Sequence, residues 1–223
     1  MTGASRGLGR AIGEGLAAEG ARLVVTATEA RHLDAVLASL RDRGAETHGV
    51  ALDLADRGSV QACAAEALAV LGRLDVLINN ASLLGERTPL AEYPLDVWDA
   101  VMAVNVTGTL GLIQAVLPGM ADGGAIVNVT SGAAGRATWG AYSVSKLAIE
   151  GVTAMLRDEL RPRGIRCVAV NPGGLRTSMR AAAYPGEDPA TVPQPATVVP
   201  VFVAIAAGAD PGPRVDARDW PGS

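Results

Sequence analysis

ARLVVTATEARHLDAVLASLRDRGAETHGVALDL, residues 21–54, holds two short β-branched runs flanking one helical stretch. Residues 21–28 read as a strand, 29–44 as a helix with apolar residues at helical spacing, and 46–54 as a second strand. A strand, a helix and a strand within about thirty residues make a parallel unit, because a parallel neighbour is reached only by a crossover.

The pattern repeats outward. Residues 8–20 predict a helix, 56–72 a helix, 74–81 a strand, 96–120 a long helix, 124–131 a strand, 142–164 a helix and 165–173 a strand. Alternation of this kind specifies an α/β chain: a Rossmann-like doubly wound parallel sheet with helices on both faces, in three layers. With 223 residues, of which 49% are hydrophobic, one domain spanning 1–223 is expected. Residues 178–200 contain five prolines and no periodicity, and predict a mobile loop.

Composition narrows the function classes. The net charge of −4 has no long runs of one sign, so neither nucleic acid nor an acidic membrane surface is an expected partner. The apolar runs read as too short for a membrane span and no secretory leader is evident, so a cytoplasmic protein is expected. Cys63 and Cys167 match no metal-ligand spacing and read as buried free thiols; no metal site is expected.

In doubly wound sheets ligands bind beyond the carboxyl ends of the strands. The turn TGASRGLG at 2–9 offers Gly3, Gly7 and Gly9 for close approach of backbone N–H groups to a phosphate, with Thr2, Ser5, Arg6 and Leu8 between them. The next strand ends on Ala27 and Thr28, without the carboxylate that selects a free ribose, so NADP(H) is favoured over NAD(H), with Arg6 as partner of a 2′-phosphate. Asp53, followed by Leu54, either accepts from an adenine amino group or caps the following helix. Asn79, Asn80 and Ala81 stand at another strand end, where the amides either tie loops together or bond the ribose.

YSVSK, 142–146, carries the chemistry. Four residues apart on a helix, Tyr142 and Lys146 share a face. A phenol with a pKa of about 10 becomes a useful base only where a cation stabilises the phenolate, and Lys146, the sole lysine, supplies that charge. Ser131, with Thr130 as the competing hydroxyl, ends the preceding strand and polarises a carbonyl while Tyr142 moves the proton. Asn105, inside a helix, either holds a water leading to Lys146 or is a satisfied buried amide.

Together these motifs resemble the short-chain dehydrogenase/reductase family over nearly the whole chain and in the family's order. The resemblance implies a Ser131, Tyr142, Lys146 and Asn105 tetrad, with Pro172 and Gly173 cupping a nicotinamide and Thr177 bonding its carboxamide or a phosphate. It implies hydride transfer between NADP(H) and a small carbonyl or secondary alcohol, with Trp139 and residues 178–200 shaping the substrate pocket, in a homodimer or homotetramer. Ser82 stands where the family usually has Gly, the 131–142 segment is about two residues short, and the tail at 207–220 looks shortened. The family also places a strand before the glycine turn, at the middle of a sheet ordered 3-2-1-4-5-6-7. No such strand precedes Met1, so a truncated chain with two half-sheets facing a gap is expected, and poor folding with it. A non-catalytic dinucleotide sensor and an inactive truncated relative are the alternatives.

Overall fold

The computed structural model describes residues 1–221. Its elements in chain order are α1 (Gly7–Ala18), β1 (Leu23–Ala27), α2 (Asp34–Arg41), β2 (Thr47–Ala51), α3 (Arg57–Leu71), β3 (Leu74–Asn79), α4 (Leu95–Met102), α5 (Thr109–Val116), β4 (Met120–Val129), α6 (Gly140–Glu159), β5 (Arg166–Asn171), α7 (Ser178–Ala183), α8 (Val199–Ala206) and β6 (Arg214–Asp216). All strand pairs are parallel, as the alternation predicts. They form two ladders, β1-β2 and β3-β4-β5-β6.

One hydrophobic cluster packs α1 and α8 on one side of the strands, with Phe202, the only phenylalanine, fully buried. A second packs α3 and α5 on the other side and contains Cys63 and Cys167, both free thiols. Strands covered on both faces leave their carboxyl ends as the exposed rim, and the site lies there.

The gap between the half-sheets is narrower than the sequence suggests. Met1–Ala4 bridges the two ladders at their carboxyl ends: the Met1 amine donates to Val24 O at 2.6 Å, Thr26 N to Met1 O at 3.1 Å, Ala4 N to Thr26 O at 2.9 Å and Thr2 N to Ile78 O at 2.9 Å. Below this bridge the gap persists as a cavity of about 460 Å³ lined by Leu16, Leu23, Val24, Cys63, Val76, Ile78 and Val116 among others. The structure thus supplies two paired halves with a stitch across the top.

Three sequence expectations are corrected. The 96–120 helix is not continuous: α4 and α5 are joined by a π-helical segment, Ala103–Gly108, and Pro118 falls in a terminal 3₁₀ turn. Gly108 allows this segment to press on the loop after β2, since a Cβ there would stand 2.0 Å from Leu54 O. Residues 178–200 are not an irregular loop. The Thr177 hydroxyl caps α7 by accepting from Arg180 N at 3.2 Å, 3₁₀ turns cover Pro189–Thr191 and Pro195–Val198, and α8 then begins. Leu95–Gly119, with a mean hydropathy of 1.7, and Pro189–Ala206 are long and apolar enough to cross a membrane by length and composition. Here the former packs on α3 and α6, which explains its apolar face.

Candidate active site

The glycine turn feeds α1 directly. Arg6 precedes the helix in extended conformation and its side chain makes no capping bond, so the first N–H groups of α1 have no side-chain acceptor from it. Gly3 has φ +65°, and a Cβ at Gly9 would lie 2.0 Å from Gly3 O and 2.6 Å from Asn80 Nδ2. Only glycine permits that approach. The turn is held from β3, where Asn80 Nδ2 donates to Thr2 O and Gly3 O while the Thr2 hydroxyl accepts from Asn80 N and Ala81 N, both at 3.0 Å.

A cavity of about 1190 Å³ runs along the rim of the strands. Gly3, Ser5, Arg6, Gly7, Leu8, Gly9, Thr28, Asp53, Leu54, Asn80, Ala81, Ser131, Tyr142, Lys146, Pro172, Gly173 and Thr177 all line it, so residues scattered over 175 positions converge. A dinucleotide phosphate fits the N–H cradle that the glycines keep clear.

Two sequence-predicted residues do not face the cavity. Thr2 is buried and its hydroxyl is consumed in holding the turn, so it positions the turn and is not placed to touch a ligand. Asn105 lies in the π-helical segment with both amide hydrogens donated, to Leu83 O at 2.9 Å and to Ser145 Oγ at 3.0 Å, while its Oδ1 accepts from Leu83 N at 2.7 Å. It is a satisfied buried amide that ties the loop after β3 to α6. Asp53 is not the helix cap either. Asp56 caps α3 through Gly58 N at 2.8 Å, and Asp53 accepts from Ala55 N, leaving its side chain at the cavity wall.

Thr130 and Ser131 are separated by their environments. The Thr130 hydroxyl, 1% exposed, donates to Glu150 Oε1 at 2.7 Å, whereas the Ser131 hydroxyl accepts from Ala133 N at 3.1 Å and lines the cavity together with Tyr142. Tyr142 and Lys146 are both buried on α6, with Lys146 Nζ 5.4 Å from the Tyr142 ring centre. Lys146 donates to Val129 O at 2.8 Å. Burial lowers the Lys146 ammonium to about 8. It also raises the Tyr142 phenol, an effect the nearby Ser131 hydroxyl partly offsets.

The segment between Ser131 and Tyr142 carries left-handed backbone. Thr138 is the sole non-glycine among the described residues with positive φ, at 64°. Gly140 follows at φ +48°, where a Cβ would stand 1.8 Å from the Tyr93 ring. Arg136, Arg180, Tyr184, Arg218 and Asp219 also line the cavity; Arg180 and Tyr184 fall within the 178–200 segment expected to shape the pocket, whereas Arg136, Arg218 and Asp219 were not singled out by sequence. Arg218, from the tail, donates to Gly174 O at 3.1 Å and packs on Gly173.

The short chain dehydrogenase family profile matches residues 1–188 of this chain. The chain belongs to the short-chain dehydrogenase family. The oxidoreductase YciK of Escherichia coli is 39% identical over 210 residues, covering 91% of this chain and 83% of its own. The D-threitol dehydrogenase of Mycolicibacterium smegmatis is 39% identical over 191 residues, covering 83% and 73%. Among solved structures, a short chain dehydrogenase from Shigella flexneri complexed with NADP superposes with a TM-score of 0.91 at 36% identity, covering 97% of this chain and 95% of that one. One from Escherichia coli complexed with NADPH superposes equally well, with 94% of its chain covered. As a short-chain dehydrogenase this chain is an oxidoreductase of the Rossmann-like class.

Proposed function

We propose that this short-chain dehydrogenase transfers hydride reversibly between NADP(H) and a small carbonyl or secondary alcohol, with Tyr142 as general acid and base. The observation that carries the reading is the cavity wall shared by the glycine turn, Ser131 and Tyr142, with Lys146 one helical turn from the phenol.

NADP(H) is held in this reading by the α1 N–H groups and by Pro172, Gly173 and Thr177. The cofactor choice has a local basis. β1 ends on Ala27 with Thr28 after it, Glu29 beyond them is paired with Arg31 at 2.6 Å, and Arg6 forms no ion pair among the described residues. A 2′-phosphate meets no anion there and has a cation within the same turn. The bound cofactor supplies or accepts the hydride.

The chain's own groups do the rest. Ser131 donates to the carbonyl oxygen, Tyr142 gives or takes the proton, and Lys146 adds positive charge beside the phenol. Asn105 enters as a positioning residue, through Ser145 on α6 and through Leu83. The exposed apolar side chains Leu95, Leu147 and Met155, on α4 and α6, support self-association into a homodimer or homotetramer.

The test is NADPH oxidation followed by absorbance with acetaldehyde, cyclohexanone, benzaldehyde and a 3-keto ester. At least one is reduced by the wild-type chain, and Tyr142→Phe lowers its kcat by about a thousandfold or more while leaving NADPH affinity within about threefold. NADPH binding with no turnover of any of these carbonyls or the matching alcohols favours the sensor reading instead.

A further inference from the structure

Arg87 lies in the loop between β3 and α4 and is not part of the cavity wall. Its guanidinium carbon nevertheless sits 4.5 Å from the Trp139 ring centre and 4.8 Å from that of Tyr184, two residues that do line the cavity. Trp139 immediately precedes α6 and its ring is 6.0 Å from that of Tyr142. Tyr184 comes from the end of α7, and the Trp139 and Tyr184 rings are 5.8 Å apart. Arg87 Nη1 also donates to Ala183 O at 2.6 Å. Arg87 thus touches both walls from behind.

The α7 side is held independently. Arg180 packs at 3.8 Å on the Tyr184 ring and is doubly bonded to Glu187 at 2.7 and 2.6 Å. This holds Tyr184 within its own segment, yet gives that segment no tie to Trp139. Arg87 supplies the tie, and it forms no ion pair with any described carboxylate that would compete for it. A planar guanidinium suits the role, because it stacks on aromatic faces while its edge donates hydrogen bonds.

We propose that Arg87 is a positioning residue that fixes Trp139 and Tyr184 as the substrate-facing wall beside Tyr142. Its effect on substrate rests on the hydride-transfer reading above; its effect on the wall does not. Removing Arg87 leaves the Trp139–Tyr184 ring contact as the link between Trp139 and the 178–188 segment, loosening the wall without touching the glycine turn.

The experiment compares wild type with Arg87→Ala and Arg87→Lys, each shown to be folded by circular dichroism. Hydrogen exchange of residues 178–188 is expected to accelerate about tenfold in Arg87→Ala, and less in Arg87→Lys, with the core of α6 unchanged. For cyclohexanone or benzaldehyde, whichever turns over, KM rises about tenfold while kcat and NADPH affinity stay within about threefold. Unchanged exchange in 178–188 overturns the proposal, as does a fall in kcat at constant KM. If no carbonyl turns over but exchange accelerates, the catalytic reading fails and the positioning role stands.

Discussion

Lys146 donates a hydrogen bond from its buried ammonium to the carbonyl of Val129, the last residue of β4, at 2.8 Å. Desolvation lowers its pKa from 10.5 to about 8. Below pH 8 the folded chain holds a charge it disfavours, so the cost is fully present there. Between pH 8 and 10.5 the unfolded state binds more protons, and stability rises with pH. The cost is about 3 kcal/mol. Lys146→Met removes it at pH 7 but strands the Val129 carbonyl at roughly 1 kcal/mol, so the variant is expected to melt several degrees higher, about 3–6 °C. Its kcat/KM falls by about a hundredfold or more. A lower melting temperature in calorimetry would show that the ammonium stabilises the fold.

Gly9→Ala places a methyl group within 2.0 Å of Gly3 O. The turn must open, at a cost of about 1–3 kcal/mol. NADPH affinity measured by fluorescence titration is expected to drop at least about tenfold, because the opened turn no longer presents its N–H groups together. An unchanged Kd would place the phosphate elsewhere.

In a parallel ladder the backbone groups of alternate residues face one neighbour, and here those of Val24 and Thr26 in β1 bond the Met1–Ala4 bridge. An apolar extended segment of about five residues fused ahead of Met1 is expected to enter the 460 Å³ cavity as a strand between β1 and β3. The readout is a rise in melting temperature with slowed exchange at Val24 and Ile78. A disordered extension with neither effect refutes it.

Leu147 and Met155 are 48% and 64% exposed on α6, eight residues apart and so on one face, with Gly151 between them meeting no neighbour within 4 Å. Met155→Glu is expected to shift sedimentation from an oligomer toward the monomer mass. A wild-type chain already monomeric at micromolar concentration removes the basis for self-association through this face.

The active-site reading was legible where it rested on local periodicity. Tyr142 and Lys146 face one way because a helix brings positions four apart together, and Gly3 and Gly9 had to be glycine wherever the turn met a strand end. Arg87 was not legible, and Tyr184 only as part of the 178–200 segment. Arg87 meets partners roughly 50 to 100 residues away in sequence, and no local pattern records which loop will lie behind which ring.

By itself the amino-acid sequence determined the parallel α/β architecture, the alternation of strands and helices along the chain and the helix bearing Tyr142 and Lys146, since these follow from residue periods of two and 3.6 along one segment. Tertiary structure alone set Thr130 and Ser131 apart: where α6 docks, its Glu150 takes the Thr130 hydroxyl, and Ser131 lines the cavity with Tyr142. It also decided that Asn105 closes on Leu83 and Ser145, and that Met1–Ala4 stitches two half-sheets together, because both outcomes depend on backbone groups that only packing brings within hydrogen-bond reach.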